Sequence, residues 1–345
     1  MTRFSISDRH ISDECLTFVI AEIGINHGGD LGVAKQMVES ARRAGAEVIK
    51  HQTHIVEDEM ASAARKIVPE NADVSIYELM ERCCLNLDEE VELKAYTEEL
   101  GMIYLSTPFS RRAADFLMEI GVPAFKIGSG ECNNYPLIEH ISNFGLPVIL
   151  STGMNDLKTI KPAVKIMEEH QISYALLHCV NLYPTPPSLL SLGAISDLRT
   201  NFPNAEVGFS DHSVGNYASF AAVGLGANII ERHYTDHFSR SGPDISCSID
   251  EAGLRDIILG CEVVRQARGG CKKKVAEEKL TADFAYATVV TISSIKKGEK
   301  FDKANVWVKR PGTGGIPAAM YWDILGATAT RDIEIDEQLF ECDYA

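Results

Sequence analysis

The sequence predicts an α/β protein, an eight-fold β/α (TIM) barrel followed by a small β-rich domain. Three observations lead there. Eight short apolar runs recur between residues 17 and 233, helical stretches separate most of them, and each run ends in residues able to do chemistry. Successive run ends mostly lie roughly 20–30 residues apart, the spacing of barrel units.

The runs cover 17–22, 48–52, 102–107, 124–128, 148–151, 174–179, 206–210 and 228–233. Val, Ile, Leu and Phe dominate them, as in strands buried on both faces. After Asp30, an N-cap residue, Leu31, Ala34, Met37, Val38 and Ala41 recur at helical spacing, and Gly45 closes the helix. A similar helix follows Asn155 and carries Val164, Ile166 and Met167. The interval between Gln52 and Met102 is about twice as long as the others, so an excursion interrupts the second unit. The run ends read Glu22; Lys50, His51 and Gln52; Ser106 and Thr107; Lys126 with Ser129; Ser151 and Thr152; His178 with Asn181; Ser210, Asp211 and His212; and Glu231, Arg232 and His233. A barrel gathers its active-site groups at the C-terminal ends of its strands, so these residues are expected at one mouth. The barrel is expected over 1–268. The stretch ARGGCKKKVAEEKLTAD reads as a linker centred on 269–283, and 284–345 as the small domain, with strands at 287–292, 305–308 and 327–333 and a helical piece at 321–325. SIKKGEKFDKANV and DIEIDEQLFECDY are crudely similar, which suggests two related halves. A core that small is marginal and needs a surface to dock on.

Composition narrows the function. The 345 residues are 45% hydrophobic, with 33 Lys plus Arg against 49 Asp plus Glu, a formal charge of −16. That balance argues against nucleic acid or an anionic membrane as partner, and an anionic substrate requires a locally basic pocket. No apolar run approaches the roughly 18–20 residues of a membrane-spanning helix. The start, MTRFSISDRHISDEC, lacks the apolar stretch of a secretory signal. Nine scattered cysteines without a CxxC pair read as a reduced, cytoplasmic protein.

Three constellations carry chemistry. His212 and His233 follow neighbouring strands, and two neutral imidazoles with open positions suit a divalent ion that keeps water or substrate oxygens as its other ligands. The plainer reading makes one a core histidine and the other exposed. His27, His51, His54 and His237 read as structural or supporting, and His10, His140 and His170 as surface residues. Lys50 and Lys126 lie inside apolar runs, where each needs a negative partner. With Thr107, Ser129, Ser151 and Ser210 they form a candidate phosphate or carboxylate site. Glu22 and Glu131 are candidate acid–base groups, and each reads equally well as a structural acceptor. Asp211, Glu231 and Asp236 read as partners for Arg232 or Arg240. A metal-assisted reaction of a phosphorylated acid fits this set, with hydrolysis, lyase chemistry and carbon–carbon condensation all open.

The strings IAEIGINHGGD, EVIKHQTHIVEDEM, YLSTPFS, FKIGSGECNNYPLI, ILSTGM, LLHCVNLYPTP, GFSDHS and ERHYTD resemble, in order, the signatures of bacterial N-acetylneuraminate (sialic acid) synthases. VWVKRPGTGGIPA resembles the antifreeze-like (SAF) domain of that family, so the resemblance covers nearly the whole chain. It implies condensation of phosphoenolpyruvate with N-acetylmannosamine and release of phosphate, assisted by Mn²⁺ or by Mg²⁺ or Co²⁺. It further implies that His212 and His233 hold the metal, and that Lys50, Thr107, Lys126, Ser129, Ser151, Asn181 and Ser210 surround phosphoenolpyruvate. Gln52, Asn71, Glu131, Tyr183 and Asp244 would line the sugar site, with Glu22 beside the reacting carbonyl. In a domain-swapped homodimer the SAF domain would cap the other subunit's barrel, bringing Arg310 and Tyr286, the latter where related sequences often have Phe. A sister synthase making legionaminic or pseudaminic acid from a diacetamido sugar is the nearest alternative. A Schiff-base aldolase using Lys126 or Lys50, and an ice- or sugar-binding protein, are more distant ones.

Overall fold

The computed structural model describes residues 4–68 and 74–345. Asn71 lies outside them. The chain divides into two units, Met1–Gly269 and Gly270–Ala345.

The first unit carries eight parallel strands: β1 (Phe18–Gly24), β2 (Val48–Thr53), β3 (Ile103–Pro108), β4 (Phe125–Ile127), β5 (Val148–Ser151), β6 (Tyr174–Cys179), β7 (Glu206–Asp211) and β8 (Ile229–His233). Hydrogen bonds join them in the order β3-β2-β1-β8-β7-β6-β5-β4, and β3 packs beside β4 to close the ring. The expected runs thus all become strands, with ends shifted by two residues at most.

Alternation along these strands builds two cores. Val19, Ala21 and Ile23 of β1, Ile49 of β2, Leu150 of β5 and Ile230 of β8 point outward against the helices. Phe18, Ile20, Val48, Leu105, Ala124, Ile149, Ala175, Leu177 and Ile229 point inward and fill the lower barrel. A hairpin of Ser5–Ile6 and Arg9–His10, not foreseen from the sequence, seals that floor with Phe4, Ile6 and Ile11. Gly208 faces the same interior. A Cβ there would collide with Leu177 and with the Ile229 carbonyl, so glycine leaves the room that Leu177 fills.

The helix Leu31–Ala44 begins as expected. Asp30 accepts the Val33 N–H at 3.0 Å, and Gly45 ends it with φ of 98°. The later helix, Leu157–Glu169, is capped by Asp156, while Asn155 donates instead to the carbonyls of Ser129 and Gly153. The excursion after β2 holds a short helix Val56–Glu59, a 3₁₀ turn Ser62–Lys66 and a helix Ile76–Cys83, ahead of the barrel helix Leu87–Glu99. It has a core of its own: Val56, Tyr77, Met80 and Cys83 pack on Ile25.

In the second unit β9 (Thr288–Thr291) pairs antiparallel with β10 (Val306–Lys309). Val289, Ile295, Phe301, Val306, Ile316, Tyr321, Ile324 and Leu339 form its core. The strand expected at 327–333 is not continuous; isolated bridges tie Thr328 to Lys300, Ala329 to Tyr344 and Ile333 to Ile295. The unit also includes a helix, Lys279–Ala285, that begins inside the stretch read as linker. Among the described residues no helix is long and apolar enough to cross a membrane.

Candidate active site

Above its apolar floor the barrel interior turns polar. Continuing the inward alternation, Ile20 is followed by Glu22, Val48 by Lys50 and Gln52, Leu105 by Thr107, Ala124 by Lys126, Ile149 by Ser151, Leu177 by Cys179, Gly208 by Ser210, and Ile229 by Glu231 and His233. All of these line one cavity, together with Phe109, Ser129, Asn181, Tyr183 and His212. One strand parity thus builds both the packed floor and the reactive mouth.

Two buried lysines and two buried carboxylates alternate at the centre. Lys50 is ion-paired to Glu22 and lies 3.9 Å from Glu231, while Lys126 lies 3.6 Å from Glu231. Lys50 donates to Thr107 Oγ1 at 3.1 Å, Lys126 to Ser151 Oγ at 2.7 Å, and Ser210 to Glu231 Oε1 at 2.9 Å. Burial alone would raise the Glu231 carboxyl, but Lys126 and Lys50 outweigh it and hold the group at about 2. Burial lifts Glu22 to about 7 despite the opposing pull of Lys50, and Glu231 adds to the rise. Burial pulls Lys126 down, whereas for Lys50 the two carboxylates overcome burial and raise it. The two lysines thus favour the charged form of Glu231, whereas burial and the Glu231 charge favour the neutral form of Glu22.

The sequence reading pairs Glu231 with an arginine, but the carboxylate faces Lys126 and Lys50 instead. Asp211 fills that role with Arg232 at 2.7 Å, and Asp236 pairs with Arg240. Glu231 shares the inward parity of Ile229 and His233, and this pattern is the signal that could have found it. Gln52 donates to Glu22 Oε1 at 2.9 Å. Gly153 N–H donates to Ser129 Oγ at 3.0 Å, and a Cβ on Gly153 would overlap the Asn181 amide, so this wall of the cavity requires glycine.

The imidazoles of His212 and His233 lie side by side, ring centres 5.2 Å apart, and Tyr183 stacks on His212 at 4.2 Å. His212 Nδ1 lies 3.0 Å from the Val180 carbonyl and donates to it, which leaves Nε2 bare. His233 Nδ1 is buried without a hydrogen-bond partner, 3.6 Å from Asp244. Burial lowers His212 to about 4, with His233 adding to the effect, and lowers His233 to about 3, helped by Lys50. Both rings are therefore neutral at pH 7, as metal ligation requires. Among the described residues no group of three or more His, Cys, Asp or Glu side chains converges to hold an ion. The protein thus offers two imidazoles, an orphaned ring nitrogen and open remaining positions, and this set fits a divalent ion completed by water and substrate oxygens.

Not every expected residue reaches this cavity. Glu131 lines an adjoining groove with Glu59, Phe109 and Arg111, accepts the Asn134 amide at 2.5 Å, and is raised by burial. Asp244 sits behind His233, where burial raises it to about 6. Tyr286 and Arg310 are exposed on the second unit, just beyond the paired residues Thr288 and Lys309; a Cβ on Gly312 would lie 2.8 Å from that of Tyr286.

Comparison with known proteins agrees along the whole chain. Residues 37–273 match the NeuB family and residues 286–343 the SAF domain. An uncharacterized protein of Methanocaldococcus jannaschii is 36% identical over 99% of this chain and 98% of its own length. The N,N'-diacetyllegionaminic acid synthase of Campylobacter jejuni is 34% identical, over 94% of this chain and 99% of that enzyme. The crystal structure of an N-acetylneuraminic acid synthetase from Leptospira borgpetersenii, 31% identical, superimposes with a TM-score of 0.74 over 81% of this chain and 95% of that one.

Proposed function

The chain belongs to the NeuB family and carries a SAF domain, and on that premise we propose that it condenses phosphoenolpyruvate with N-acetylmannosamine and water to give N-acetylneuraminate and phosphate. The observation that carries this reading is the buried Glu22–Lys50–Glu231–Lys126 set beside two neutral imidazoles at the strand ends.

Lys50 and Lys126, with the hydroxyls of Thr107, Ser129, Ser151 and Ser210 and the Asn181 amide, bind the carboxylate and phosphate of phosphoenolpyruvate and offset their charge. His212 and His233 would hold Mn²⁺, or Mg²⁺ or Co²⁺ in its place, and the ion when bound supplies Lewis acidity at the open-chain sugar aldehyde. Glu231, held ionised, supplies the negative charge that stabilises the oxocarbenium-like C2 left when C3 of phosphoenolpyruvate attacks the aldehyde. Glu22, with its pKa near 7, takes the proton of the water that adds to C2, after which the tetrahedral intermediate loses phosphate by C–O cleavage. Gln52 and Tyr183, which line the cavity, would face the sugar, with Glu131 in the adjoining groove and Asp244 acting from behind His233; Asn71 is assigned to the sugar by the family resemblance alone. In a homodimer the SAF domain would close the partner's barrel, bringing Tyr286 and Arg310 to the N-acyl group and excluding water. A cytoplasmic location, where phosphoenolpyruvate is made, suits this chemistry.

A second reading, a legionaminate synthase acting on a diacetamido sugar, draws support from the Campylobacter relative. Phosphate release from phosphoenolpyruvate, measured with each sugar in Mn²⁺ or in excess EDTA, tests both. Sugar-dependent release that EDTA abolishes is expected, faster with N-acetylmannosamine. A faster reaction with the diacetamido sugar would favour the second reading, and no release with either would sink the synthase assignment.

A further inference from the structure

A line of hydrogen bonds runs from outside the cavity to Glu22. Glu59, at the end of the helix Val56–Glu59, lies with Oε2 2.7 Å from His54 Nδ1. His54 Nε2 lies 3.1 Å from Gln52 Oε1, and Gln52 Nε2 donates to Glu22 Oε1 at 2.9 Å. The imidazole stacks on Phe109, ring centres 4.3 Å apart and planes 12° from parallel, a contact that favours this ring orientation. His54 and Glu59 side chains are 2% and 11% exposed, and neither lines the cavity that Gln52 and Glu22 line.

The donors and acceptors in this line are mutually constrained. An amide has one accepting and one donating end, so Gln52 can donate to Glu22 only if its oxygen receives a proton from His54. His54 Nε2 must therefore be an N–H. Its Nδ1 faces the Glu59 carboxyl, so the pair holds one proton between them, on the ring or on the carboxyl. Without Glu59, only the Gln52–Glu22 bond still favours the tautomer with Nε2–H over the one with Nδ1–H. A bare Nε2 would draw the Gln52 amide nitrogen to itself and turn the carbonyl oxygen toward Glu22.

We infer that Glu59 and His54 are positioning residues that fix which end of the Gln52 amide faces Glu22 and the acceptor sugar. The excursion after β2 thereby acts on the site through a side chain that does not line the central cavity. The inference rests on the proposed synthase reading for what Gln52 binds, but not for the hydrogen-bond order itself.

Two measurements test it. In ¹⁵N-histidine spectra of the intact protein, without substrates, His54 is expected to carry a proton on Nε2, and Glu59→Ala to lose that preference. An Nε2 that is bare in the wild type would overturn the inference whatever the enzyme's activity. In turnover, His54→Ala is expected to raise KM for the sugar about five- to tenfold, the loss of one oriented hydrogen bond, with KM for phosphoenolpyruvate nearly unchanged. In a Gln52→Ala background the same substitution should add nothing. Glu59→Ala should match His54→Ala, whereas Glu59→Gln, whose amide donates to Nδ1 and keeps Nε2–H, should stay within about twofold of wild type. If the effects of His54→Ala and Gln52→Ala multiply, or both KM values rise together, His54 acts as packing and the inference fails. A wild type that turns over neither sugar defeats the synthase reading alone, and the spectra still decide the positioning role.

Discussion

Replacing Arg232 by Met tests how the two histidine-bearing strand ends are held. Arg232 and Asp211, fully buried, each immediately precede one of the imidazoles in sequence: Asp211 adjoins His212, and Arg232 adjoins His233. The guanidinium pairs with Asp211 Oδ2 at 2.7 Å and donates to the carbonyls of Gly215, Ser213 and Cys247 at 2.9, 2.8 and 3.2 Å. Met keeps the unbranched apolar stem of the side chain but leaves the Asp211 carboxylate with only the Ser213 N–H and the Ser219 hydroxyl. Breaking one side of a buried pair costs about 3–5 kcal/mol. That is a large fraction of the roughly 5–15 kcal/mol that keeps a domain folded. Urea unfolding of the barrel should show the loss directly. Asp211→Asn combined with Arg232→Met should cost at least about 2 kcal/mol less than the sum of the singles, since no unpaired charge then remains. A loss under about 1 kcal/mol for Arg232→Met, or costs that add, would refute the reasoning.

Further outcomes follow from the same geometry. His212→Ala and His233→Ala should each abolish Mn²⁺ binding in calorimetry; a variant that binds as wild type does would remove that histidine from the metal set. Lys126→Met should lower sugar-dependent phosphate release by about a hundredfold or more, and activity within about threefold of wild type would exclude Lys126 from charge stabilisation. His27 is lowered to about 3 by burial and by neighbouring His51. The unfolded chain protonates this position below about 6.5 while the folded one does not. Stability should therefore fall as pH drops from about 6.5 and level off only below about 3, with His27 accounting for about 2 kcal/mol at pH 5. His27→Gln should flatten that slope, and equal slopes in variant and wild type would contradict the assignment.

The barrel strands were legible because both of their faces are buried, which turns each into a short, nearly continuous apolar run with polar ends. The finer signal, alternation between floor and helix-facing residues, is masked in such runs. It was this alternation that separated Glu231, facing inward, from Arg232, facing the loops, and sequence proximity alone suggested the wrong pairing. His54 read as a supporting residue, but its partners lie two and five positions away in a tight turn, and no periodicity reports such a bond. The floor hairpin was missed because Ser5–Ile6 and Arg9–His10 are too short to show a pattern; it is held by contacts with strands far along the chain. In the second unit, residues 327–333 have the apolar content of a strand but meet three different partners by single bridges, so no ladder forms.

The most direct test of the central claim is mass analysis of the product formed when the enzyme receives phosphoenolpyruvate labelled with ¹⁸O at the bridging oxygen, N-acetylmannosamine and Mn²⁺. The account predicts a nine-carbon keto acid with the mass of N-acetylneuraminate and phosphate that retains the label, the signature of C–O cleavage. Unlabelled phosphate, or phosphoenolpyruvate consumed without a sugar adduct, would contradict it.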